Sequence, residues 1–299
     1  MSSGPPAPVA PLREIRGPSA LGGGARRFFD LLWLISVTQF KRTYFGTVLG
    51  YVWSLLRPLM LFGVLLFVFT KVFKIGSETV EHYPVMLLLG IVLFTFFQES
   101  TQNAVSSVVT QEGVVRKTQF PRLVIPLSTV LTGAFNFCLN LVVVLIFTLA
   151  YGIRPTWTWL LFPFAVGALL VLTCAVSMIL SVLYVRFRDV GIIWIVLAQV
   201  LFYATPILYP VTAFENPTYE RLLMLNPIAV ILEQVRVWVL NEPQAITEVN
   251  GVIQPHAPTA AEAAGGAIHL LPAVAIYCAI CAFAVWIFRR EAPRIAEDL

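Results

Sequence analysis

Gly113-Val-Val-Arg-Lys-Thr-Gln-Phe-Pro-Arg-Leu-Val-Ile-Pro126 separates two long apolar runs and carries three cations, Arg116, Lys117 and Arg122. A connection between membrane spans needs no such density of charge merely to turn round. Cations at this place hold it at the cytoplasmic face, where anionic lipid and the positive-inside bias favour them. Phe120 and Pro121 stiffen the exit before the next run begins. The stretch reads as a short amphipathic element at the membrane surface, placed to meet a partner protein, although a plain topology loop would also carry such cations.

The rest of the chain supports a membrane setting. Its 299 residues are 58% hydrophobic and only 12% charged, with a mean hydropathy of +0.83. Soluble domains carry about 25% charged residues, so the deficit is too large for a water-facing surface of this size. The fold class expected is an all-α integral membrane protein of six spans at ~20 residues each. The net charge of +4 does not suggest nucleic acid. Cys138, Cys174, Cys278 and Cys281 all fall in apolar runs, where they act as small apolar residues. His82, His256 and His269 are far apart, and no Cys/His spacing suggests a metal site.

Taken in order, residues 1–25 are rich in Pro, Gly and Ala and read as a disordered cytosolic tail. Residues 26–45 place Arg27, Asp30, Thr38, Lys41 and Arg42 on one side of a helix and Phe29, Leu32, Phe40 and Tyr44 broadly opposite. That is the pattern of an amphipathic helix in the cytoplasmic interface; a short first span is the alternative. The transmembrane body, residues 46–299, follows. Spans are expected at about Val48–Phe69, Pro84–Ser106, Leu127–Phe147, Trp159–Tyr184, Ile192–Leu208 and Ile268–Phe288, with a basic loop at 109–126. Arg57 lies close enough to the cytoplasmic end of the first span to snorkel.

Within the spans Gln98, Glu99, Asn103, Asn136 and Asn140 are too polar to face lipid cheaply, so they are expected to face protein or a pathway. Between spans five and six, the external region 206–242 contains Pro227–Leu240. At ~1.5 Å per residue those fourteen positions reach about 21 Å, short of a ~30 Å hydrocarbon core. Two proline-led elements, starting at Tyr209-Pro210 and Asn226-Pro227, suit a helix-turn-helix that dips in from outside as a re-entrant gate. Glu233 and Arg236, three apart, can pair on one face. Residues 243–267 look like a surface insertion.

Charge placement sets the orientation. With six spans and both termini in the cytosol, that side receives Arg13, Arg16, Arg26, Arg27, Lys41, Arg42, Arg116, Lys117, Arg122, Arg186, Arg188, Arg289, Arg290 and Arg294. The outside receives Lys71, Lys74, Arg154, Arg221 and Arg236, as the positive-inside rule requires. No glycine is followed by lysine anywhere, so a phosphate-cradling Gly-Lys-Ser/Thr loop is lacking. No Gly-x-Ser-x-Gly elbow or His-Glu-x-x-His pair occurs. Glu99 and Asp189 have no obvious partner at catalytic spacing, and Asp189 is expected to pair with Arg186 or Arg188. The chain is not expected to be an enzyme.

Several segments together resemble one family. Lys41-Arg-Thr-Tyr-Phe-Gly-Thr-Val-Leu-Gly-Tyr-Val-Trp-Ser-Leu-Leu-Arg-Pro-Leu59 is similar to the entry of the first span in permease subunits of ABC-type polysaccharide exporters, which move O-antigen, teichoic acid, capsule or galactan chains. The loop ending Phe120-Pro121-Arg122 resembles their coupling helix. Arg186-Phe187-Arg188-Asp189-Val190 resembles the turn before their fifth span. Thr205-Pro206-Ile207-Leu208-Tyr209 and Asn226-Pro227, running to Arg236, resemble their re-entrant gate. The resemblance implies a homodimer in the plasma (inner) membrane with a nucleotide-binding ATPase under each subunit. ATP and Mg would then be bound by the partner, with no cofactor in this chain, and a lipid-linked glycan would pass between the subunits. Arg116, Lys117, Phe120, Pro121, Arg122, Arg186, Arg188 and Asp189 would couple to the ATPase. Tyr51, Trp53, Phe94, Phe96 and Phe97 are candidates to stack on sugar rings. Pro206, Tyr209, Asn226, Pro227, Glu233 and Arg236 would form the gate. An ABC permease for a drug or lipid, or a secondary transporter with ion-coupling acids and repeats, are the alternatives.

Overall fold

The computed structural model describes residues 24–44, 50, 52–72, 82–111, 113, 122–211, 216–240, 248–249, 252–253 and 258–291. Among the described residues, five helical segments are long and apolar enough to cross a membrane: Val52–Val72, Tyr83–Val105, Val124–Ala150, Trp157–Arg186 and Ala267–Glu291. The first is an α-helix, α2 (Val52–Phe67), that widens into a π-helical turn at Val68–Val72. Pro58 is accommodated inside it. The chain continues with α3 (Tyr83–Val105), the single turn α4 (Ser107–Thr110) and α5 (Val124–Ala150). A 3-10 turn at Trp157–Leu161 leads into α6 (Phe162–Arg186). Pro84 and Pro163 sit in the first turns of α3 and α6, where a missing N–H costs nothing.

Helix α3 is the centre of the bundle. The most apolar window of α3 is 78% buried, against 11% for the windows in α2 and the last helix. It packs between α5 and α6, with Tyr83, Met86, Leu87, Leu88 and Ile91 fully enclosed. The N-terminal helix α1 (Gly24–Tyr44) lies along α5. Its seam is Ser36, fully buried, whose Oγ donates to the Ser128 carbonyl at 3.2 Å, while Thr132 Oγ1 donates to the Ser36 carbonyl at 3.2 Å. Phe135 receives the ring edges of Trp33 and Phe40. Phe29, assigned by periodicity to the apolar side, faces outward.

The fifth expected span is shorter than its sequence suggested. Helix α7 (Val190–Ala204) has 15 residues and ends before Pro206, because a residue preceding proline is pushed out of the α region. Thr205 is accordingly extended, with ψ 137°. The next two helices, α8 (Pro217–Leu223) and α9 (Pro227–Leu240), meet at a bend of 104°. The first of the pair is led by Asn216-Pro217, not by Tyr209-Pro210. Asn216 Oδ1 accepts from Thr218 N at 2.9 Å and caps it, the usual role of Asn at a helix start.

Both ends of α9 are covered by protein. Asn226 Oδ1 accepts from Ile228 N at 3.0 Å, and Asn226 Nδ2 donates to Thr205 Oγ1 at 2.9 Å. At the far end Thr158 Oγ1 and Trp159 Nε1 donate to the Trp238 and Val239 carbonyls at 2.7 and 3.0 Å. Orphan backbone groups at helix ends are thereby satisfied, which is what a non-crossing helix at membrane depth requires. Past α9, Glu248–Val249 pairs antiparallel with Val252–Ile253, the β structure among the described residues. The expected surface insertion ends in a built element. Thr259 and Glu262 form a capping box on α10 (Ala260–Ala263), and Ala263 and Ala264 pack on Val211, Met224 and Ala229. Helix α11 (Leu271–Glu291) is the last element among the described residues, with Arg289 and Arg290 in its last turn.

Candidate functional site

A polar cleft of about 770 Å³ opens between α1, α2, α3 and α5. Two stripes build its walls. On α3, Thr95, Glu99, Gln102, Asn103 and Ser106 share a face; on α5, Thr129, Thr132, Gly133, Asn136 and Asn140 do. Spacings of three and four put such residues above one another on a helix. Off this slot α3 and α5 carry mostly apolar side chains, with Gln98, Thr101, Ser128 and Thr148 as polar exceptions. Gly133 permits close approach of the walls, since a Cβ there would collide with Ser100 Oγ. Helix α2 contributes Trp53, Ser54 and Arg57, and α1 contributes Gln39, Arg42 and Thr43.

Arg57 Nη1 donates to Glu99 Oε1 at 3.1 Å, with the side chains 79% and 41% exposed. An exposed pair of this kind contributes about 0–1 kcal/mol, so it orients the two groups more than it stabilises the bundle. Asn140 Nδ2 donates to the Asn136 carbonyl at 3.0 Å and reaches the Ser54 carbonyl at 3.5 Å. Thr132 Oγ1 bonds Gln39 Oε1 at 3.3 Å. Among the described residues, the buried Asn136 Oδ1 and Ser100 Oγ have no hydrogen-bond partner.

The structure brings Trp53, Glu99, Asn103, Asn136 and Asn140 together on this cleft. Phe96 also lines it, stacked on Phe137 with centroids 4.6 Å apart. Phe94 and Phe97 do not: they are 1% and 2% exposed in the core, edge-on to Phe202 and Trp194. At ~100° per residue, Phe97 points nearly opposite to Glu99. Gln98 is half-buried beside the stripe rather than on it. Tyr51 lies outside the described residues. Sequence reasoning passed over Ser54, Thr132, Phe137 and the partnership of Arg57 with Glu99. The signal for the last was a lone arginine in an otherwise uncharged span.

The coupling candidates divide. Arg116, Lys117, Phe120 and Pro121 lie outside the described residues. Arg122 sits in the turn opening α5. Arg186, Arg188 and Asp189 are exposed between α6 and α7. Asp189 makes no ion pair with either arginine among the described residues. Instead Arg186 lies over the Phe187 ring at 5.8 Å and Arg188 over Tyr184 at 5.2 Å, a stacking that suits planar guanidinium. This turn shares one end of the bundle with Arg122 and Arg289, because Val108, Ile125, Val182 and Phe288 form one apolar cluster there.

The gate candidates meet at the opposite end. Arg236 is fully buried; its Nη1 donates to Glu233 Oε2 at 3.1 Å and its Nη2 to the Ile207 carbonyl at 3.1 Å. Tyr83 donates its hydroxyl to the Leu208 carbonyl at 2.9 Å. Gly90 leaves room for this, as a Cβ would stand 3.3 Å from Arg236 Nη2. So the broken stretch after α7, which holds Pro206 and Tyr209, is tied to α9 by Arg236 and Asn226.

These segments fall within residues 30–240, which match the model of the family described as ABC-2 type transporter. The chain belongs to the ABC-2 type transporter family. This ABC-2 type chain is 33% identical over 202 residues to the O-antigen export system permease protein RfbA of Myxococcus xanthus, covering 67% of this chain and 76% of that protein. It is 32% identical over 203 residues to the protein of the same name in Klebsiella pneumoniae, with the same coverage. The polysialic acid transport protein KpsM of Escherichia coli matches at 26% over 212 residues, 65% of this chain and 76% of that one.

Proposed function

We propose that this ABC-2 type chain is the transmembrane permease subunit of an ATP-driven exporter that moves a lipid-linked polysaccharide from the cytosol across the plasma (inner) membrane. The observation that carries the reading is the cleft. Among the described residues, amides, hydroxyls, two arginines and one acid line a slot inside an apolar helix bundle, where polar groups are expensive unless they serve a pathway. Such groups match the hydroxyls of a glycan, and Trp53 and Phe96 offer flat apolar faces to sugar rings. The names of the relatives support a polysaccharide as cargo.

A cleft with one open side is half a channel; a second copy of the chain supplies the other half. Energy comes from nucleotide-binding subunits that hold ATP and Mg and engage Arg116, Lys117, Phe120, Pro121 and Arg122, with Arg186, Arg188 and Asp189 as a smaller contact. Both termini face the cytosol, and α8–α9 closes the external exit. The test is a deletion strain complemented with this chain. Its absence should trap lipid-linked glycan inside and empty the cell surface of it, and the wild-type chain should restore export only together with its ATPase. Unchanged surface glycan in the deletion strain overturns the reading.

A further inference from the structure

Three features of the cleft go beyond a corridor for sugar. Arg57 is the single charge on α2, and among the described residues only one of its nitrogens is engaged, by Glu99. Guanidinium carries five N–H donors in a fork that fits phosphate, and Arg57, 79% exposed, presents the rest of its fork to the cleft. Arg42, in the last turn of α1, lines the same cleft and has no ion-pair partner among the described residues. Among the described residues of the lining, two arginines stand against one acid, Glu99.

Resting on the export reading above, we infer that Arg57 and Arg42 form the seat for the phosphate or diphosphate head of a glycolipid, and that Glu99 holds Arg57 until that head arrives. The exchange is chemically even: Arg57 gives up one carboxylate oxygen and takes phosphate oxygens in a charge-assisted, two-pronged bond. Glu99, released, is left to accept from hydroxyl groups. The wall close by supports the same cargo. Ser54, three residues before Arg57 and so on its face of α2, meets Asn140. One turn along α5, Asn136 lines the same cleft. A carboxamide both donates and accepts, as a sugar hydroxyl does. The cleft therefore reads a molecule with both groups, phosphate at the arginines and hydroxyl at the amides.

The test uses the full chain in phosphatidylcholine nanodiscs with farnesyl diphosphate as probe and farnesol as its neutral control. Wild type should bind the diphosphate at least tenfold more tightly than the alcohol. Arg57→Gln should remove most of that preference, Arg57→Lys should keep part of it, and Glu99→Gln should strengthen binding severalfold by freeing Arg57. The opposite signs at the two ends of one ion pair separate this role from a structural one, in which both changes weaken binding. Equal affinity for diphosphate and alcohol overturns the proposal, as does weakened binding in Glu99→Gln protein that remains monodisperse. If Arg57→Gln fails to fold, Glu99→Gln still decides. Displacement of the probe by inorganic diphosphate but not by equimolar phosphatidylglycerol supports a substrate seat; displacement by phosphatidylglycerol overturns it in favour of a general lipid site. Lost diphosphate preference with normal export sinks this seat alone, and intact preference without surface glycan sinks the export reading alone.

Discussion

Arg236 and Glu233 show what a buried charge demands. Neither side chain touches solvent, and desolvating two ions is repaid only when each finds its partners. Arg236→Met leaves Glu233 uncompensated and should destabilise the bundle by about 3–5 kcal/mol. Arg236→Met with Glu233→Leu should cost clearly less than the single change. Thermal unfolding of the purified protein, followed by size-exclusion, measures both; a double variant as unstable as the single one would refute the account. Gly133 gives a second case. Gly133→Ala overpacks the seam against Ser100 and should cost about 1–3 kcal/mol, part of which Ser100→Ala restores. The pairing of Glu233 with Arg236 was legible from their spacing, since both sit on one helix. The pairing of Arg57 with Glu99 was not: 42 residues separate them, and only tertiary packing brings α2 beside α3. Likewise Phe94, Phe96 and Phe97 look alike in the sequence. Their helical phase relative to Glu99 distinguishes the one on the cleft from the two in the core.

At the scale of elements, α9 survives as a short helix because three side chains from elsewhere finish it: Asn226, Thr158 and Trp159. Asn226→Ala removes the cap of α9 and the tie to Thr205 together. The cap alone is worth about 1 kcal/mol. Hydrogen exchange should accelerate over residues 205–230 while the amides of α3 stay protected; uniform acceleration would mean that Asn226 holds the whole bundle instead. The apolar runs made five of the spans readable, with ends within a few residues. The fifth was drawn too long because its hydropathy continues through Ile207 and Leu208, and only the backbone restriction before Pro206 stops the helix. Pro217 was missed as a helix start because Tyr209-Pro210 comes directly after the apolar run of the fifth span and looks like the break. In the structure Asn216, a capping residue, marks the true beginning.

For the whole molecule, cations gather at one end, around Arg122, Arg188 and Arg289, and the bent pair α8–α9 lies at the other. In a background where Cys138, Cys174, Cys278 and Cys281 are replaced, Arg188→Cys should react with an impermeant maleimide only from the cytosolic side and Tyr219→Cys only from outside. Labelling of Arg188→Cys from outside would invert the proposed orientation. That orientation has an electrical consequence. The cleft runs from Gln111, just past α4, to Val92 on α3, and an open polar slot conducts ions and water far better than packed side chains do. The voltage across the bilayer then falls mainly over the closed remainder, the roughly 14 Å of α3 between Val92 and Tyr83 at ~1.5 Å per residue. Each elementary charge carried through the full voltage drop is worth about 2.3 kcal/mol per 100 mV. With the proposed orientation and a phosphate-bearing cargo as inferred above, a cell whose interior is negative drives the anionic head outward through that short stretch, so the membrane potential would add to the work of the proposed ATPase partner.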